Sequence, residues 1–483
     1  IISLIGISVA TNSISDESKS GSRSTTFYVG GSGPGNYSTI QSAIDAASSG
    51  DTVYVYNGIY YENVVIDKTI DFIGEDKNNT IIDGQAMNDV VKISADNVCF
   101  EHFTIDNSYT ETRFYDYGIY LTSHNNSIRD CIFIDNQVGI EFFHASNNSF
   151  TENSIQSCNG WAMSMVDSNN NLIENNIFSM NGGGMCYSGS CSNTIINNDF
   201  LSDSGVGCLF VTGSDNNLVE NNSISQHNIA GIEIVECEQI MILNNEIFDN
   251  EDYGIYCRES YDITFIDNHI FDNAEHGIWC KWTQHSTFFH NRILNNTQGL
   301  VLRKSNNNLF YENNIENNAD VGISIYDNSL YNLFYHNNLI DNNQNAYDEH
   351  NNNWYNETIS EGNYWSDYNG SDANNDGIGD TAYLIDGSTS QDNYPLMNEY
   401  VWFQIDIIQS LFDRGFPVRH AVDGDWAAAQ NFTPTVSTIT KVCLYARVFG
   451  TPEFDLTVEL REDGPEGTLL DSVSFTPGEV PSS

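Results

Sequence analysis

Apolar and polar positions alternate along the chain in a pattern that repeats every 21 to 24 residues. Each repeat has a small residue followed by alternating apolar residues, and the small residue falls at Gly118, Gly139, Ala162, Gly184, Gly207, Gly231, Gly254, Gly277, Gly299 and Gly322. A unit of this length is too short for a pair of helices, and its β-branched and aromatic content favours strands. The repeat therefore predicts an all-β fold, a right-handed parallel β-helix with three short strands in each coil.

The alternation within each strand predicts which side chains fill the solenoid. Because successive side chains of a strand point to opposite faces, the first and third residues after each repeat glycine point inward. These inward pairs are Ile119 and Leu121, Ile140 and Phe142, Ile232 and Ile234, Ile255 and Cys257, Ile278 and Cys280, and Ile323 and Ile325. Another column predicts four stacked rings, those of Phe265, Phe288, Phe310 and Phe334. The stacked Cys257 and Cys280 either form a disulfide or stay reduced as small apolar residues.

A column of asparagines runs in step with the glycines, at Asn153, Asn175, Asn198, Asn222, Asn245, Asn268, Asn291, Asn313 and Asn337. Asparagine tolerates the left-handed backbone that a sharp corner requires, and its amide can bond to the asparagine of the next coil. We therefore expect these asparagines to form one corner of the coils and the repeat glycines to form another.

Both ends of the repeat carry sequences of a different kind. Ser38 to Gln41 form a capping box, which predicts a short helix over the N-terminal end with Ala43, Ile44, Ala46 and Ala47 on its packed face. The alternating segments after Thr435 favour strands of a β-sandwich. The predicted organisation is a signal-peptide remnant and linker at 1–24, a capped β-helix at 25–343, a C-terminal cap at 344–399 and a partial β-sandwich at 400–483.

Charge and composition limit the possible partners. The 483 residues include 66 Asp and Glu but 17 Lys and Arg, so the formal net charge is −49. With 40% hydrophobic residues the chain can build a large core, whereas its negative surface repels nucleic acid and anionic lipid. We therefore expect cations, neutral glycans, cell-envelope components or basic proteins as partners, leave self-assembly open, and expect no nucleic acid.

The first ten residues, IISLIGISVA, are typical of the end of a signal-peptide apolar region, which predicts export to the cell surface or beyond. No later segment has the roughly 18 to 20 continuous apolar residues that a membrane span needs. Recurrent Asn-x-Ser/Thr sequons are compatible with a glycosylated surface.

Three parts of the sequence together resemble one known family. They are the segment GNYSTIQSAIDAASSGDTVYVYNGIYYENVVIDKTIDFIGE, the coil repeat, and the segment GNYWSDYNGSDANNDGIGDTAYLIDGSTSQDNYPLM. Over residues 27–397 the chain is similar to the NosD-like β-helix proteins, which are abundant as exported archaeal proteins. The resemblance implies a pectate-lyase-like fold, a carbohydrate-binding or sugar-hydrolysing activity, and copper delivery during the assembly of nitrous oxide reductase.

The segment DANNDGIGD beyond the repeat contains most of a calcium-binding loop. Oxygen ligands fall at its first, third, fifth and ninth positions, the seventh offers a backbone carbonyl, and the sixth is a turn-forming glycine. We therefore predict a calcium site formed by Asp372, Asn374, Asp376, Ile378 and Asp380. Position twelve is Tyr383 instead of an acidic residue, so Asp386 or Asp392 is expected to complete the site.

Histidines in the later coils raise the possibility of a copper site, because imidazole is a copper ligand. Aligning the coils places Asp267, His290, Glu312 and His336 in one column, with His269, His276 and His285 nearby. Neighbours in a column lie about 4.8 Å apart, so His290 and His336 are two coils from one another. The other interpretation of this column is an ordinary alternation of surface charges.

One outward face carries several of the basic and aromatic residues. The fourth position after the glycine is basic in three consecutive coils, and the second position holds an acidic and two aromatic residues, the last of them Trp279. Aromatic rings stack on sugars and cations pair with carboxylate or sulfate groups, so this face predicts a glycan-binding surface. Its residues are Tyr256, Arg258, Trp279, Lys281, Trp282 and Arg303. The alternative is a salt-bridge ladder from the cations to Glu236, Glu259 and Asp327.

The sequence favours a secreted or cell-surface protein that binds glycan or forms part of the cell envelope without catalysis. A polysaccharide lyase or glycoside hydrolase on the same face is the alternative, and a copper-delivery protein is the third possibility. The candidate catalytic residues are Lys281, Arg258, Arg303 and Glu233. Glycoside hydrolysis needs two carboxylates about 5 to 10 Å apart, which a chain with 66 acidic residues provides in many places by chance.

Overall fold

The computed structural model describes residues 24–108, 116–401, 456–461 and 469–475. Residues 24–108 and 116–400 belong to one unit, a right-handed parallel β-helix, which confirms the predicted fold. The signal-peptide segment before residue 24 and most of the proposed β-sandwich lie outside the described residues. The described part of the C-terminal segment is a pair of antiparallel strands.

The N-terminal coils contain one helix and short strands. They are β1 Thr26–Val29, α1 Ile40–Ala46, β2 Thr52–Val55, β3 Gly58–Tyr61, β4 Val64–Ile66, β5 Asp71–Gly74, β6 Thr80–Asp83, β7 Val91–Ile93, β8 Cys99–Glu101 and β9 Thr104–Asp106.

The coils of the repeat begin with β10 Tyr117–Leu121, β11 Ser127–Arg129, β12 Ile132–Ile134, β13 Val138–Phe143, β14 Ser149–Thr151, β15 Ser154–Gln156, β16 Trp161–Val166, β17 Leu172–Glu174, β18 Ile177–Ser179, β19 Gly183–Ser188, β20 Thr194–Ile196, β21 Asp199–Leu201, β22 Cys208–Val211, β23 Leu218–Glu220 and β24 Ser223–Ser225.

The later coils consist of β25 Ala230–Val235, β26 Met241–Leu243, β27 Glu246–Phe248, β28 Tyr253–Arg258, β29 Thr264–Ile266, β30 His269–Phe271, β31 His276–Lys281, β32 Thr287–Phe289, β33 Arg292–Leu294, β34 Gln298–Arg303, β35 Leu309–Tyr311, β36 Asn314–Glu316, β37 Val321–Tyr326, β38 Leu333–Tyr335, β39 Asn338–Ile340 and β40 Gln344–Asp348. Beyond them come β41 Tyr364–Trp365, β42 Tyr383–Leu384, β43 Gln391–Asp392, β44 Leu456–Arg461 and β45 Leu469–Phe475.

The strands form three long parallel sheets because each coil contributes one strand to each sheet. Sheet 1 has 14 strands from β1 to β38, sheet 2 has 13 strands from β4 to β40, and sheet 3 has 14 strands from β3 to β41. The predicted three strands per coil are therefore confirmed. Neighbouring strands pair in register, so equivalent positions of successive coils stack in columns.

The predicted core columns are confirmed. The inward residues of the sheet 2 strands are fully buried, and Cys257 and Cys280 lie side by side as free thiols. Ring centroids in the aromatic stack are 4.4, 4.4 and 4.6 Å apart along Phe265, Phe288, Phe310 and Phe334. Trp354 continues this stack at 4.3 Å, so the C-terminal cap extends the core of the coils.

The asparagine column forms a hydrogen-bond ladder, with two corrections to the prediction. The backbone N–H and the side-chain Nδ2 of one asparagine donate to Oδ1 of the next, as Asn268 does to Asn291 at 3.1 and 2.9 Å. The ladder member in its coil is Asn176 and not Asn175. The left-handed residue is the one before the ladder asparagine, such as Asp267 at φ 53°. The ladder amides thus satisfy the backbone at the corner, while the preceding residue makes the bend.

The repeat glycines have a different role from the predicted one. None of them has a positive φ, so they do not form a left-handed corner. A Cβ at Gly254 would lie 2.6 Å from the carbonyl oxygen of Gly277 and 2.6 Å from Cγ2 of Ile270. Glycine is required there because neighbouring coils approach too closely for a side chain.

The predicted N-terminal helix is confirmed as α1, with a different capping residue. Thr39, and not Ser38, is the N-cap. A carboxylate from the next coil, that of Glu62, accepts the first two backbone N–H groups of the helix at 2.8 and 3.0 Å. Ala46 is exposed, contrary to the prediction. The helix residues buried against the solenoid are Ile40, Ala43 and Ile44.

Two buried carboxylates organise the C-terminal cap. Asp392 accepts hydrogen bonds from Nε1 of Trp365 at 2.9 Å and from the backbone N–H of Asn363 at 2.7 Å. Asp348 accepts a hydrogen bond from Nε1 of Trp354 at 3.1 Å. Because Asp392 is fully buried and engaged inside the cap, it does not complete the predicted calcium loop as expected.

Candidate functional site

The outer face of sheet 2 carries three rows of side chains along the solenoid axis, which we call the sheet 2 groove. In the later coils of the central row, Val301 and Ser324 are 3% and 0% exposed, so the row lies below its flanks there. Register pairing places the predicted surface residues together on this face. The central row holds Glu233, Tyr256 and Trp279, one flank holds Arg258, Lys281 and Arg303, and the other holds Tyr253 and His276.

The aromatic side chains of the sheet 2 groove form one platform. The ring centroids of Tyr256 and Trp279 are 4.9 Å apart, with their planes at 25°. Tyr253 packs beside them, 5.0 Å from Trp279 and 5.5 Å from His276. Tyr253 was not predicted, and His276 was predicted near a copper site and not on this face, although both immediately precede a repeat glycine. The signal in the sequence that could have identified them is a large residue directly before the repeat glycine.

The three cations of the groove differ in their partners. Arg303 donates to Asp327 through Nε at 2.9 Å and Nη2 at 2.6 Å, and Arg258 lies 3.6 Å from Glu259. Within the described residues, Lys281 has no carboxylate within ion-pair distance. Its Nζ lies instead 4.5 Å from the ring centroid of Trp282. The alternative salt-bridge ladder therefore holds the two arginines, and Lys281 keeps its charge available.

Trp282 stands at the corner next to the groove, between two lysines. Its ring lies 4.5 Å from Nζ of Lys281 and 5.1 Å from Nζ of Lys304. Cation–π attraction of this kind fixes the direction of flexible lysine side chains. Trp282 is therefore placed to orient Lys281 and lies outside the central row.

Several polar atoms of the groove are buried without a hydrogen-bond partner. They are Nε1 of Trp279, Nε of Arg258 and Nδ1 of His276. Burial lowers the pKa of His276, although the charge of Glu275 opposes that shift, so the neutral ring is favoured. An unpaired buried donor costs about 1 to 3 kcal/mol, so ligand oxygens that reach these atoms would recover that cost.

Glu233 is the acidic residue of the central row. Burial raises the pKa of its carboxyl group, and the charge of Arg258 opposes the shift. A carboxyl group of this kind can hold a proton closer to neutral pH than an exposed one. Glu233 is therefore suited to donate a hydrogen bond or a proton.

A second cluster lies at the corner between sheets 1 and 3, and we call it the ionic column. His290 Nδ1 is 3.3 Å from Asp267 Oδ1, and its Nε2 is 2.7 Å from Glu312 Oε2. His336 Nε2 is 2.5 Å from Glu361 Oε2. The predicted column therefore assembles, and Glu361 from outside the repeat extends it.

The ionic column does not fit a copper site. Burial lowers the pKa of His290, but the hydrogen bonds with Asp267 and Glu312 outweigh it and raise the pKa to about 9. A protonated imidazole has no lone pair for a metal. His269 and His276 lie on β30 and β31, and His285 lies before β32, so they do not join the column. Among the described residues, no group of three or more His, Cys, Asp or Glu side chains is arranged to hold a metal.

The predicted calcium ligands lie in one loop whose oxygens bond to its own backbone. Asp372 accepts the N–H groups of Asp376 at 3.2 Å and Gly377 at 2.9 Å. Asp380 accepts the N–H of Ala373 at 2.8 Å. Gly377 has φ +88°, as a turn glycine requires. The carboxylates retain further lone pairs, so calcium at this loop stays a prediction.

The comparisons with known proteins connect the chain to one family. A family model described as periplasmic copper-binding protein, NosD, matches residues 44–230 and 224–370. No curated protein matches the sequence. In the described residues, no helix is both long enough and apolar enough to cross a membrane.

The solved structures to which the chain is similar have low sequence identity to it. The mannuronan C-5 epimerase AlgE6 A-module of Azotobacter vinelandii is 15% identical, with a TM-score of 0.45 over 65% of this chain and 92% of that chain. The catalytic domain of a GH87 alpha-1,3-glucanase is 14% identical, with a TM-score of 0.42 over 67% and 66%. The Dettilon tailspike protein is 12% identical, with a TM-score of 0.48 over 64% and 64%.

Proposed function

The chain belongs to the NosD family, and on that premise we propose that it is an exported β-helix protein that binds a glycan in the sheet 2 groove without cleaving it. The observation that carries this proposal is the set of buried polar atoms without a partner on Trp279, Arg258 and His276. A buried polar atom without a partner in the protein needs another partner, such as an ordered water or a ligand. Sugar hydroxyl and carboxylate oxygens are suitable acceptors for such donors.

The repeat spacing of the solenoid also suits an extended polymer. Strands in a sheet lie about 4.8 Å apart, which is close to the length of one sugar unit in a chain. A glycan along the groove would therefore meet equivalent positions at each coil. Lys281, which has no carboxylate partner among the described residues, is the position for an acidic group of the glycan. Arg258 and Arg303, already paired, would hydrogen-bond the neighbouring units.

Metals have a limited place in this proposal. The family description names copper. Since the ionic column does not fit copper, the proposal contains no step that uses it. Calcium at the DANNDGIGD loop would stabilise the C-terminal cap and leave the groove unchanged, because the loop lies beyond the repeat.

A polysaccharide lyase or hydrolase at the same groove is the second candidate function. The observation that favours it is Glu233, whose half-buried carboxyl group is near Arg258 and has a raised pKa. Product analysis separates the two functions. Unsaturated chain ends would indicate a lyase, shortened saturated chains would indicate a hydrolase, and intact chains would support binding alone.

The double variant Trp279→Ala with Lys281→Ala tests the groove directly. On an array of neutral, uronate and sulfated oligosaccharides, we expect it to lose at least about tenfold in affinity, because it removes a ring and a free charge. Both side chains are on the outer face, so the unfolding temperature should stay close to that of the parent protein.

The matched control is Phe289→Ala with Arg292→Ala, which removes an aromatic residue and a cation from the outer faces of sheets 1 and 3. It should bind like the parent protein. Full affinity of the groove variant, or equal losses in both variants, would refute the proposed site.

A further inference from the structure

A second aromatic feature lies on the same face of sheet 2, five strands earlier. Trp161 begins β16 and stands in register with Gly183 of β19. A Cβ at Gly183 would lie 2.4, 2.5 and 3.0 Å from Cζ3, Cε3 and Cη2 of Trp161. Near-equal distances to three consecutive ring carbons mean that one face of the ring lies over the glycine. Because Gly183 has no side chain, the ring of Trp161 can pack against the backbone of the next coil.

The opposite face of the Trp161 ring is not covered by another ring. Among the described residues, no aromatic side chain or cation stacks on it, and Trp161 is partly exposed. Trp279 differs, because Tyr256 stacks on it at 4.9 Å. A partly exposed indole that lies on a glycine, without a described ring stacked on its other face, is suited to stack on the apolar face of a sugar ring.

An open cleft lies at the corner of the solenoid directly before β16 and β19. Its volume is about 530 Å³, and its lining includes Asn159, Asn181, Gly182 and Ser204. Asn159 and Gly182 are near neighbours in sequence of Trp161 and Gly183. The cleft therefore begins within two residues of the indole, and its exposed polar side chains include the amide of Asn159 and the hydroxyl of Ser204, which suit a sugar with hydroxyls around its edge.

Charge distinguishes this position from the one at Lys281. The central-row residues nearest to Trp161 are Ser164 of its own coil, Glu141 of the preceding coil and Cys186 of the following coil. Glu141 is 5% exposed, and burial raises the pKa of its carboxyl group to about 7. Without a basic side chain in these positions, the site has no counterion for an acidic sugar.

We propose that Trp161, which lies on Gly183 close in sequence to the cleft lined by Asn159, Gly182 and Ser204, is a second glycan subsite that takes the apolar face of a neutral pyranose. The inference rests on the proposed function in one respect, because the same glycan is proposed to occupy both subsites. β16 and β31 are five strands apart in sheet 2, which is about 24 Å at about 4.8 Å per strand. A glycan that reaches both has about six units, neutral near Trp161 and acidic near Lys281.

The test uses the whole chain labelled with 5-fluorotryptophan and observed by ¹⁹F NMR. The signals of the two tryptophans are assigned with Trp161→Phe and Trp279→Phe. The probes are neutral linear hexasaccharides of several linkages and oligouronates of the same length. We expect at least one neutral hexasaccharide to shift the Trp161 signal, and the oligouronates to shift the Trp279 signal.

Two variants make the test specific to the geometry. Trp161→Ala should weaken binding of the neutral probe about tenfold, as loss of one ring stack does. Gly183→Ala keeps the indole but displaces it, so it should weaken binding to a similar extent. Tyr331→Ala removes an aromatic residue that is 73% exposed elsewhere and should bind like the parent protein.

The outcomes separate the two proposals. A shift at Trp279 without a shift at Trp161 for any probe overturns the second subsite and leaves the proposed function standing. Affinity for the neutral probe that neither Gly183→Ala nor Trp161→Ala weakens also overturns the subsite. Absence of a shift at both tryptophans with all probes overturns both proposals.

Discussion

At the residue scale, a stacked column tolerates few exceptions, because each member bonds to its neighbours in adjacent coils. Asp203 and His227 form one such exception at the corner between sheets 3 and 2, where asparagines hold the equivalent positions before and after them. Both are fully buried, with Oδ2 of Asp203 3.7 Å from Nδ1 of His227. That oxygen and both ring nitrogens have no hydrogen-bond partner. The two residues therefore interrupt the ladder at a cost in stability.

Replacing both residues with asparagine should stabilise the protein. The change Asp203→Asn with His227→Asn continues the ladder that Asn250 makes with Asn273 at 3.2 and 2.8 Å. We expect the free energy of unfolding in urea to rise by about 1 to 3 kcal/mol, the usual cost of a buried unpaired group. Asp199→Asn, which removes an exposed carboxylate from β21, is the control and should have little effect.

The pH dependence of this gain follows from the two pKa values. Burial raises the pKa of Asp203 to about 7, so its cost appears above the unfolded value near 3.8 and is complete above about pH 7. Burial lowers the pKa of His227 to about 4, so its cost appears below 6.5 and is complete below about pH 4. A double variant less stable than the parent at both pH 4 and pH 7 would show that the pair is satisfied in the native protein.

At the element scale, the ends of the coils are secured by groups from outside the repeat. Tyr400 stacks on His336 with centroids 4.0 Å apart, and its hydroxyl donates to Glu312 Oε1 at 3.4 Å. Its backbone N–H donates to Asn338 Oδ1 at 2.7 Å. The ionic column therefore links the last coils to the segment that follows the cap.

The ionic column should make these coils sensitive to alkaline pH. The pKa of His290 is raised to about 9, so its stabilisation is fully present below the unfolded value of 6.5 and is lost as the pH rises through 9. Burial raises the pKa of Glu312, but its bonds with the histidines lower it to about 2, so its contribution is present above 4.5 and lost as the pH falls through 2. The stabilisation is therefore complete between about pH 4.5 and 6.5.

His290→Gln tests this dependence, because glutamine keeps hydrogen bonding and cannot be protonated. We expect the unfolding temperature of the parent protein to fall between pH 7 and 10 and that of the variant to fall less. His285→Gln, at an exposed corner, is the matched control and should follow the parent protein. Equal pH dependence in the parent protein and His290→Gln would show that the column does not stabilise the coils.

The calcium prediction also belongs to this scale, because the loop is one part of the C-terminal cap. If Asp372, Asp376 and Asp380 bind calcium, chelation should speed proteolysis at residues 371–380 and lower the unfolding temperature of the cap before that of the coils. Asp376→Asn, which removes one ligand charge, should shift the calcium titration to higher concentration. If neither proteolysis nor the unfolding temperature changes when a chelator is added, the predicted calcium site is wrong.

At the scale of the whole chain, net charge is the dominant electrostatic feature. The formal charge of −49 spreads over many outward positions, and the described salt bridges pair a small part of it. Repulsion among like charges opposes the folded state and is screened by salt. Surface ion pairs are weak, with a median contribution of about 0 to 1 kcal/mol, so screening of repulsion should outweigh their loss.

Salt should therefore stabilise the protein. Raising NaCl from about 0.01 M to 1 M shortens the Debye length from about 30 to 3 Å and should raise the unfolding temperature. KCl should raise the unfolding temperature by the same amount. A chelator in all samples excludes an effect of calcium. A fall in the unfolding temperature with both salts would mean that the attraction within ion pairs outweighs the repulsion among like charges.

Much of the fold could be predicted from the sequence, because a solenoid repeats the same local structure in every coil. The period of the repeat set three strands per coil, and alternation within each strand determined the inward residues, including the stacked phenylalanines. The predicted residues of the outer face came together for the same reason, since equal positions in consecutive coils stack. Asn175 was misassigned because two adjacent asparagines share one corner, and pattern alone does not separate the bending residue from the bonding one.

The tertiary structure decided how closely neighbouring coils approach one another and which residues from outside the repeat join a column. The repeat glycines proved to be positions of close coil contact, and Gly183 makes room for a neighbouring ring. Glu361 and Tyr400 join the ionic column from segments without the repeat, so no alignment of coils could place them. Spacing along the chain predicts which residues share a column. Distances between neighbouring side chains decide which are paired, which are free, and which of them a ligand can reach.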